Sequence, residues 1–316
     1  MIKRKNMIKR KNMIKRKNII KRKTWQSGLL YICIMALALV TLLPIVLLVT
    51  NSLMSGREIV SRYSMDITIF NVLNTEYIKA GDAPFHFVEM AFLPDYITFY
   101  QYFKLFFKSP EYLRLFWNSV ILCVPIVVGQ CIISVPAAYA FERLQWKYKE
   151  FLFFIYIIVM LMPTQVLLVP HYLLAEMVTL PPYLAIILPG IFSPLGVFLL
   201  RQQLKGFPHE CLEAAQVDGA AHGTILYHIV LPNMKPSVAV LVMITFADYW
   251  NIVDQAIVFI KNVFDEPMSI ALSKVMQNDT GMFFAMACFY IVPIVVLFMA
   301  CRDYISQELS FVGVKN

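Results

Sequence analysis

Two stretches of this chain hold residue types that could do chemistry. Residues 208–236 read PHECLEAAQVDGAAHGTILYHIVLPNMKP. They set the carboxylates of Glu210, Glu213 and Asp218 among the small residues Ala214, Ala215, Gly219 and Ala220. Small side chains let another surface come close, and carboxylates offer it charge-assisted hydrogen bonds. The second stretch is Asp248, Trp250, Asn251, Asp254 and Gln255, inside an otherwise apolar run. An ionisable group at membrane depth is a functional candidate by default. The face of Trp250 suits the C–H face of a pyranose, and Asn251 and Gln255 can hydrogen-bond hydroxyls. The alternative is that these side chains only bind helix to helix. Asn118 and Ser119, with Gln130 and Gln165 deeper, are weaker candidates of the same kind. Catalysis finds no support: the histidines at 86, 171, 209, 222 and 228 form no ligand set, and no nucleophile joins Asp218 and His222.

The elements that must carry these residues follow from composition. Of 316 residues 59% are hydrophobic and 15% charged, with a mean hydropathy of +0.66. Soluble domains carry about 25% charge, so a water-soluble enzyme is excluded. Six runs approach the ~20 apolar residues that a membrane crossing needs: 28–50, 116–140, 151–169, 183–200, 237–260 and 282–301. The fold class expected is an all-α integral membrane protein of six transmembrane helices. Pro125, Pro136 and Pro163 are expected to bend spans. The first run has too long an apolar core for a cleaved signal peptide.

Charge orients the chain. Twelve of its 28 Lys and Arg lie in residues 1–23, which hold no acid, so residues 24–316 carry 16 basic against 20 acidic groups. That negative body argues against nucleic-acid binding. The tail, 1–24, repeats MIKRKN, and a six-residue period smears its isoleucines around a helix axis. It reads as a disordered basic arm beside the first span. Its role is either attraction to anionic lipid or a bare orientation signal, and Met1, Met7 and Met13 are each possible starts. Basic residues on the cytoplasmic side place both termini there. None of the six cysteines falls outside the cell, so no disulfide framework is expected.

Three connections remain. Loop 51–115 is long and external, with a short strand possible at 67–73. Its aromatic part, Tyr96 to Phe107, reads as an interfacial helix. Loop 261–281 is also external. Loop 202–236 is internal and too long for a hairpin. Helix formers from Glu210 to Ala215, a positive φ at Gly219 and a second helix over 220–231 ended by Pro232 and Pro236 make it a docking knob. The competing reading is an amphipathic loop on the membrane surface.

Glu213-Ala214-Ala215, three residues, Gly219, nine residues, then Ile229-x-Leu231-Pro232 resembles the signature loop of permease subunits of binding-protein-dependent ABC importers. Asn118-Ser119, Ala137 to Arg143, Met162-Pro163, Val169-Pro170 with Tyr172, Leu188-Pro189, Phe198 to Arg201, Phe246, Trp250-Asn251 and Phe311 to Lys315 resemble the carbohydrate branch, of the maltose-transporter type with six spans. The likeness covers about 25–54 and 90–316, leaving 55–89 as an external insertion. It implies that Glu210, Glu213, Ala214, Ala215, Asp218, Gly219 and Ala220 couple to a separate ATPase dimer. ATP and Mg would sit on that partner, since this chain has no Gly-x-x-x-x-Gly-Lys-Ser/Thr and is expected to bind no cofactor itself. It also implies a second permease subunit in a heterodimer, a solute-binding protein, and the cytoplasmic membrane of a prokaryote. The solute path would use Asp248, Trp250, Asn251, Asp254, Gln255, Asn118 and Gln165. An ion-driven secondary transporter using Asp248 and Asp254 is the competing function.

Overall fold

The computed structural model describes residues 30–63 and 93–314. The basic tail 1–24, the strand expected at 67–73 and most of the insertion 55–89 lie outside them. Among the described residues every regular element is a helix. Four helices are long and apolar enough to cross a membrane, and two sharply bent pairs bring the number to six.

The first unit holds α1 (Leu30–Ser52) and α2 (Gly56–Tyr63). At 23 residues α1 spans about 35 Å. Thr41 and Thr50 turn their hydroxyls onto Ala38 and Leu47 carbonyls, which satisfies them in an apolar setting. Beyond α1 the Thr98 amide donates to the Leu53 carbonyl and the Asp95 amide to Glu58.

The second unit opens with α3 (Tyr100–Phe103), which runs into a π-turn at Lys104–Lys108. Phe99 and Phe107 are exposed here. The central element is α4 (Glu111–Arg143), 33 residues and about 50 Å long. Pro125 and Pro136 lie within it and the helix continues past both. Next come α5 (Lys149–Met160), α6 (Thr164–Met177), α7 (Pro182–Ile191) and α8 (Pro194–Lys205). The loop region holds α9 (His209–Val217) and α10 (His222–Asn233). After it come α11 (Lys235–Trp250), α12 (Asp254–Phe259), α13 (Met268–Asn278) and α14 (Thr280–Val314).

Three expected spans are not single helices, and 183–200 divides into α7 and α8 at Phe192–Ser193. The run 151–169 breaks at Leu161–Pro163, and α6 leaves α5 at 100°. Pro163 sits just before α6, where its fixed φ favours a restart. At 12 residues α5 rises only about 18 Å, short of the ~30 Å hydrocarbon core. The run 237–260 stops at Trp250 and resumes at Asp254 as α12.

α4 is the spine. It packs on α7, α8 and α11, and α11 packs on α14. Contact with α8 is close: a Cβ built on Gly196 would lie 2.4 Å from Ser134 Oγ. Small residues of this kind allow helices to approach inside a bilayer. Nearby, the Thr245 hydroxyl donates to Gln130 Oε1 at 2.6 Å in the buried interior. Gln130 therefore ties α4 to α11.

The two ends of α4 are held by polar contacts. At its start Arg114 pairs with Asp265 at 2.9 Å, and Asn118 Nδ2 donates to the carbonyls of Phe264 and Glu266. Ser119 Oγ accepts from the Met268 amide. At its end Arg143 donates to the carbonyls of Leu204 and Phe207. Arg201, 2% exposed, reaches Glu142 at 3.1 Å and Glu150 at 2.7 Å. Its guanidinium lies 3.8 Å from the centre of the Phe153 ring. Removing one partner from a buried pair leaves an uncompensated charge, at about 3–5 kcal/mol, whereas an exposed carboxylate contributes under about 1 kcal/mol. Arg201→Met is therefore expected to lower the thermal midpoint of the detergent-purified protein sharply, and Glu150→Gln hardly at all. Equal effects would reject the ranking.

A second pair titrates. Lys104 hydrogen-bonds Asp279, which also caps α14 by accepting from the Met282 amide. Burial pushes the Asp279 carboxyl up, but the Lys104 ammonium and the Met282 and Gly281 amides outweigh it and hold it below the usual carboxylate range. The same hydrogen bond holds Lys104 up. A carboxyl lowered in the folded state adds stability above its unfolded value, about 3.9, and loses it as pH falls through the folded one. Asp279→Asn keeps a cap acceptor without the charge. It should melt below the parent protein at pH 7, and the gap should close as pH falls below the carboxylate range. A gap independent of pH would refute the charge effect.

Candidate functional site

The 202–236 region is built from its ends inward. α8 stops at Lys205, and Arg143 satisfies carbonyls left free at that end. Pro208 precedes α9, and Glu210 lies in its first turn, where the helix dipole favours a negative charge. The 3.6-residue period then sorts the helix into two faces. Leu212, 4% exposed, and Ala215 turn inward. Glu210, Glu213, Ala214 and Val217 share the outward face and are exposed, Val217 at 87%.

α9 ends in a Schellman turn. The Ala220 amide donates to the Ala215 carbonyl and the Gly219 amide to that of Gln216, both at 3.0 Å. Gly219 takes φ +82°, and a Cβ there would meet nothing within 4 Å. The demand for glycine is thus conformational, not steric. Asp218 is exposed beside it, and Ala220 is partly buried. α10 starts at His222, whose Nδ1 lies 3.1 Å from the Tyr139 hydroxyl of α4. α10 contains a π-turn at Leu226–Val230 and meets α11 at a 75° bend at Met234.

The inward faces do not form a separate knob core. Leu212, Ile225, Leu226 and Val230 join one cluster with Val135, Ala138 and Tyr139 of α4, Leu200 and Leu204 of α8, and Leu241 of α11. α9 and α10 are thus built into the span packing on one side and exposed on the other. The sequence pattern did not single out Val217, and it held Tyr139 and Arg201 only as parts of the segments 137–143 and 198–201, with no role for either. Val217 was findable by counting four residues on from Glu213. The Tyr139–His222 contact, 83 residues apart, carried no such signal.

The polar residues of the 237–260 run gather at its break. Asn251–Val253 separates α11 from α12. Two carbonyls freed there are satisfied: Tyr290 Oη donates to Trp250, and Ser269 Oγ to Ile252. Asp248, Asn251 and Asp254 are exposed and Gln255 is partly buried. Gln165 Nε2 reaches Asp254 Oδ2 at 3.4 Å, so the first turns of α6 and α12 meet. Trp250 is elsewhere. It is 1% exposed, its indole N–H donates to the Tyr290 carbonyl, and its faces stack on Phe246 and Tyr290 at 5.1 and 5.4 Å. Here Trp250 is a core side chain, the second of the two roles weighed for it. Asn118 likewise has its amide engaged with the 264–266 backbone.

A family profile described as binding-protein-dependent transport system inner membrane component matches residues 130–310. The arabinooligosaccharides transport system permease protein AraQ of Halalkalibacterium halodurans is 29% identical over 263 residues, covering 79% of this chain and 92% of that one. The lactose transport system permease protein LacG of Rhizobium radiobacter is 31% identical over 147 residues, 46% of this chain and 54% of the relative. The crystal structure of a bacterial ABC transporter involved in the import of the acidic polysaccharide alginate has a chain of the same fold, with TM-score 0.68 at 19% identity over 87% of this chain and 94% of that one.

A β-branched residue at Gly219 would be forced into a left-handed conformation costing about 1–2 kcal/mol, which asparagine tolerates better. Gly219→Asn is expected to keep the α9 turn and Gly219→Val to lose it. Hydrogen exchange of the 216–221 amides reads this, and identical protection in the two variants would count against the geometry.

Proposed function

Because the chain belongs to the inner membrane components of binding-protein-dependent transport systems, we propose that it is the permease subunit of an ATP-driven importer for a sugar or sugar-like solute. The observation that carries the reading is the two-sidedness of α9. Its outer face offers Glu210, Glu213, Ala214 and Val217, with Asp218 beside the turn, while Leu212 and Ala215 tie it to the spans. A basic groove on an ATPase subunit fits the outer face. ATP and Mg belong to that partner dimer.

Closure of the ATPases pushes α9. Leu212, with Ile225, Leu226 and Val230 of α10, passes the displacement to α4, α8 and α11. Tightly packed helices shift between discrete arrangements rather than deform gradually. The spans then alternate between outward and inward openings. Glu213 makes the charged contact, and Gly219 sets the angle at which α9 is presented. Both termini lie in the cytoplasm of a prokaryotic cell, a second, different permease subunit completes the channel, and an external solute-binding protein delivers the solute.

The names of the relatives, arabinooligosaccharides and lactose among them, support a carbohydrate. Asp248, Asn251, Asp254 and Gln165 are the path residues favoured by their exposure at the broken spans 151–169 and 237–260. Gln255 stands behind them.

The test is uptake of arabinotriose and lactose by proteoliposomes holding the assembled transporter with ATP inside. Uptake should survive an ionophore and stop without ATP. Gly219→Asn should retain most of it. Gly219→Val should lose at least tenfold while the variant still inserts. Uptake that needs an ion gradient and ignores Gly219 would overturn the reading.

A further inference from the structure

A cleft lies at the Glu111 end of α4, away from α9. Residues 264–266 are fixed there by Asn118 and Arg114, whereas α9 and α10 sit against Tyr139 and Arg143 at the other end. The end of α6 from Tyr172, the 179–182 link and residues 259–262 line an open cleft of about 670 Å³, a volume in the ~300–1,000 Å³ range of small-molecule sites.

Its centre is Tyr172. The phenol donates to Glu176 and accepts from Lys261 Nζ at 3.1 Å. The ring leans on buried Phe259 at 5.8 Å. A carboxylate can accept about four hydrogen bonds and an ammonium can donate three, so both retain capacity beyond Tyr172. Asn262, whose amide donates to Asp265 and accepts from the Phe264 amide, keeps one N–H and one lone pair besides.

The wall carries an independent sign of use. α6 ends in the same hydrogen-bond pattern as α9, Leu180 amide to Ala175 carbonyl and Thr179 amide to Glu176 carbonyl. At α9 the left-handed position is glycine. Here it is Thr179, at φ 53°. A β-branched residue in that conformation costs on the order of 1–3 kcal/mol, and such strain gathers at ligand sites.

We propose that this cleft receives a neutral, hydroxyl-rich solute, a short oligosaccharide, before it passes between the spans. The proposal rests on the importer reading above. The Tyr172 ring offers an apolar platform for a sugar C–H face, Glu176 accepts from hydroxyls, and Lys261 donates to them. One carboxylate and one ammonium leave the lining without net charge, which matches a neutral solute.

The experiment is saturation-transfer NMR on the complete transporter in nanodiscs, without its binding protein. The probes are arabinotriose, lactose and sn-glycerol 3-phosphate. Transfer is expected to the two neutral sugars and not to the phosphate. Tyr172→Ala should abolish it. Lys261→Met, at an exposed position that threatens no fold, should cut it at least threefold, and Gly219→Val should leave it unchanged. Wild-type transfer in both cleft variants, or transfer to the phosphate equal to that of the sugars, would overturn the site. Cleft-dependent sugar binding without ATP-driven uptake would sink the importer reading and leave the site standing. Uptake without cleft-dependent binding would do the reverse.

Discussion

The guanidinium of Arg201 is the constraint around which the α9 end of the chain is arranged. It is buried among apolar helices, where an unpaired charge is prohibitive. The end of α4 therefore supplies Glu142 and the start of α5 supplies the Phe153 ring, with exposed Glu150 adding little. Arg143, next to Glu142, also holds the end of α8. Two adjacent residues of α4 thus fix α8, and Arg201 carries the tie on to α5. The start of α9 follows from that geometry, because Phe207 is one of the carbonyls Arg143 holds.

From this anchor the α9–α10 segment grows as an extension of the span packing. Its apolar residues share a cluster with three spans, and a single Schellman turn aims the remainder outward. The segment is packed into the spans on its inner side and exposed on its outer side. The opposite end is built differently. It relies on polar ties between α4 and the 262–268 stretch and on a strained threonine where glycine would be easier.

Much of this was legible from residue order. The apolar runs located the helices, and Gly219 between two helix-forming stretches located the turn, because helix ends depend on local chemistry. Pro163 marked a real break, whereas α4 continues as a helix past Pro125 and Pro136. The break after Trp250 was hidden. No glycine or proline marks it, and it persists because Tyr290 and Ser269 satisfy its carbonyls from far along the chain. Trp250 misleads for a related reason: an aromatic beside Asn251 suits a sugar, and only the positions of Phe246 and Tyr290 reveal that both faces are covered. Periodicity reports one helix at a time, whereas these features belong to pairs.

Such distant pairing has a consequence for biogenesis. Gln130 and Thr245 are 115 residues apart. At roughly 5–20 residues per second, a ribosome delivers the second about 6–23 s after the first. For that interval Gln130 lacks the Thr245 hydroxyl that it accepts from in the folded chain. A substitute partner, such as water, the translocon or its own helix backbone, serves until α11 arrives.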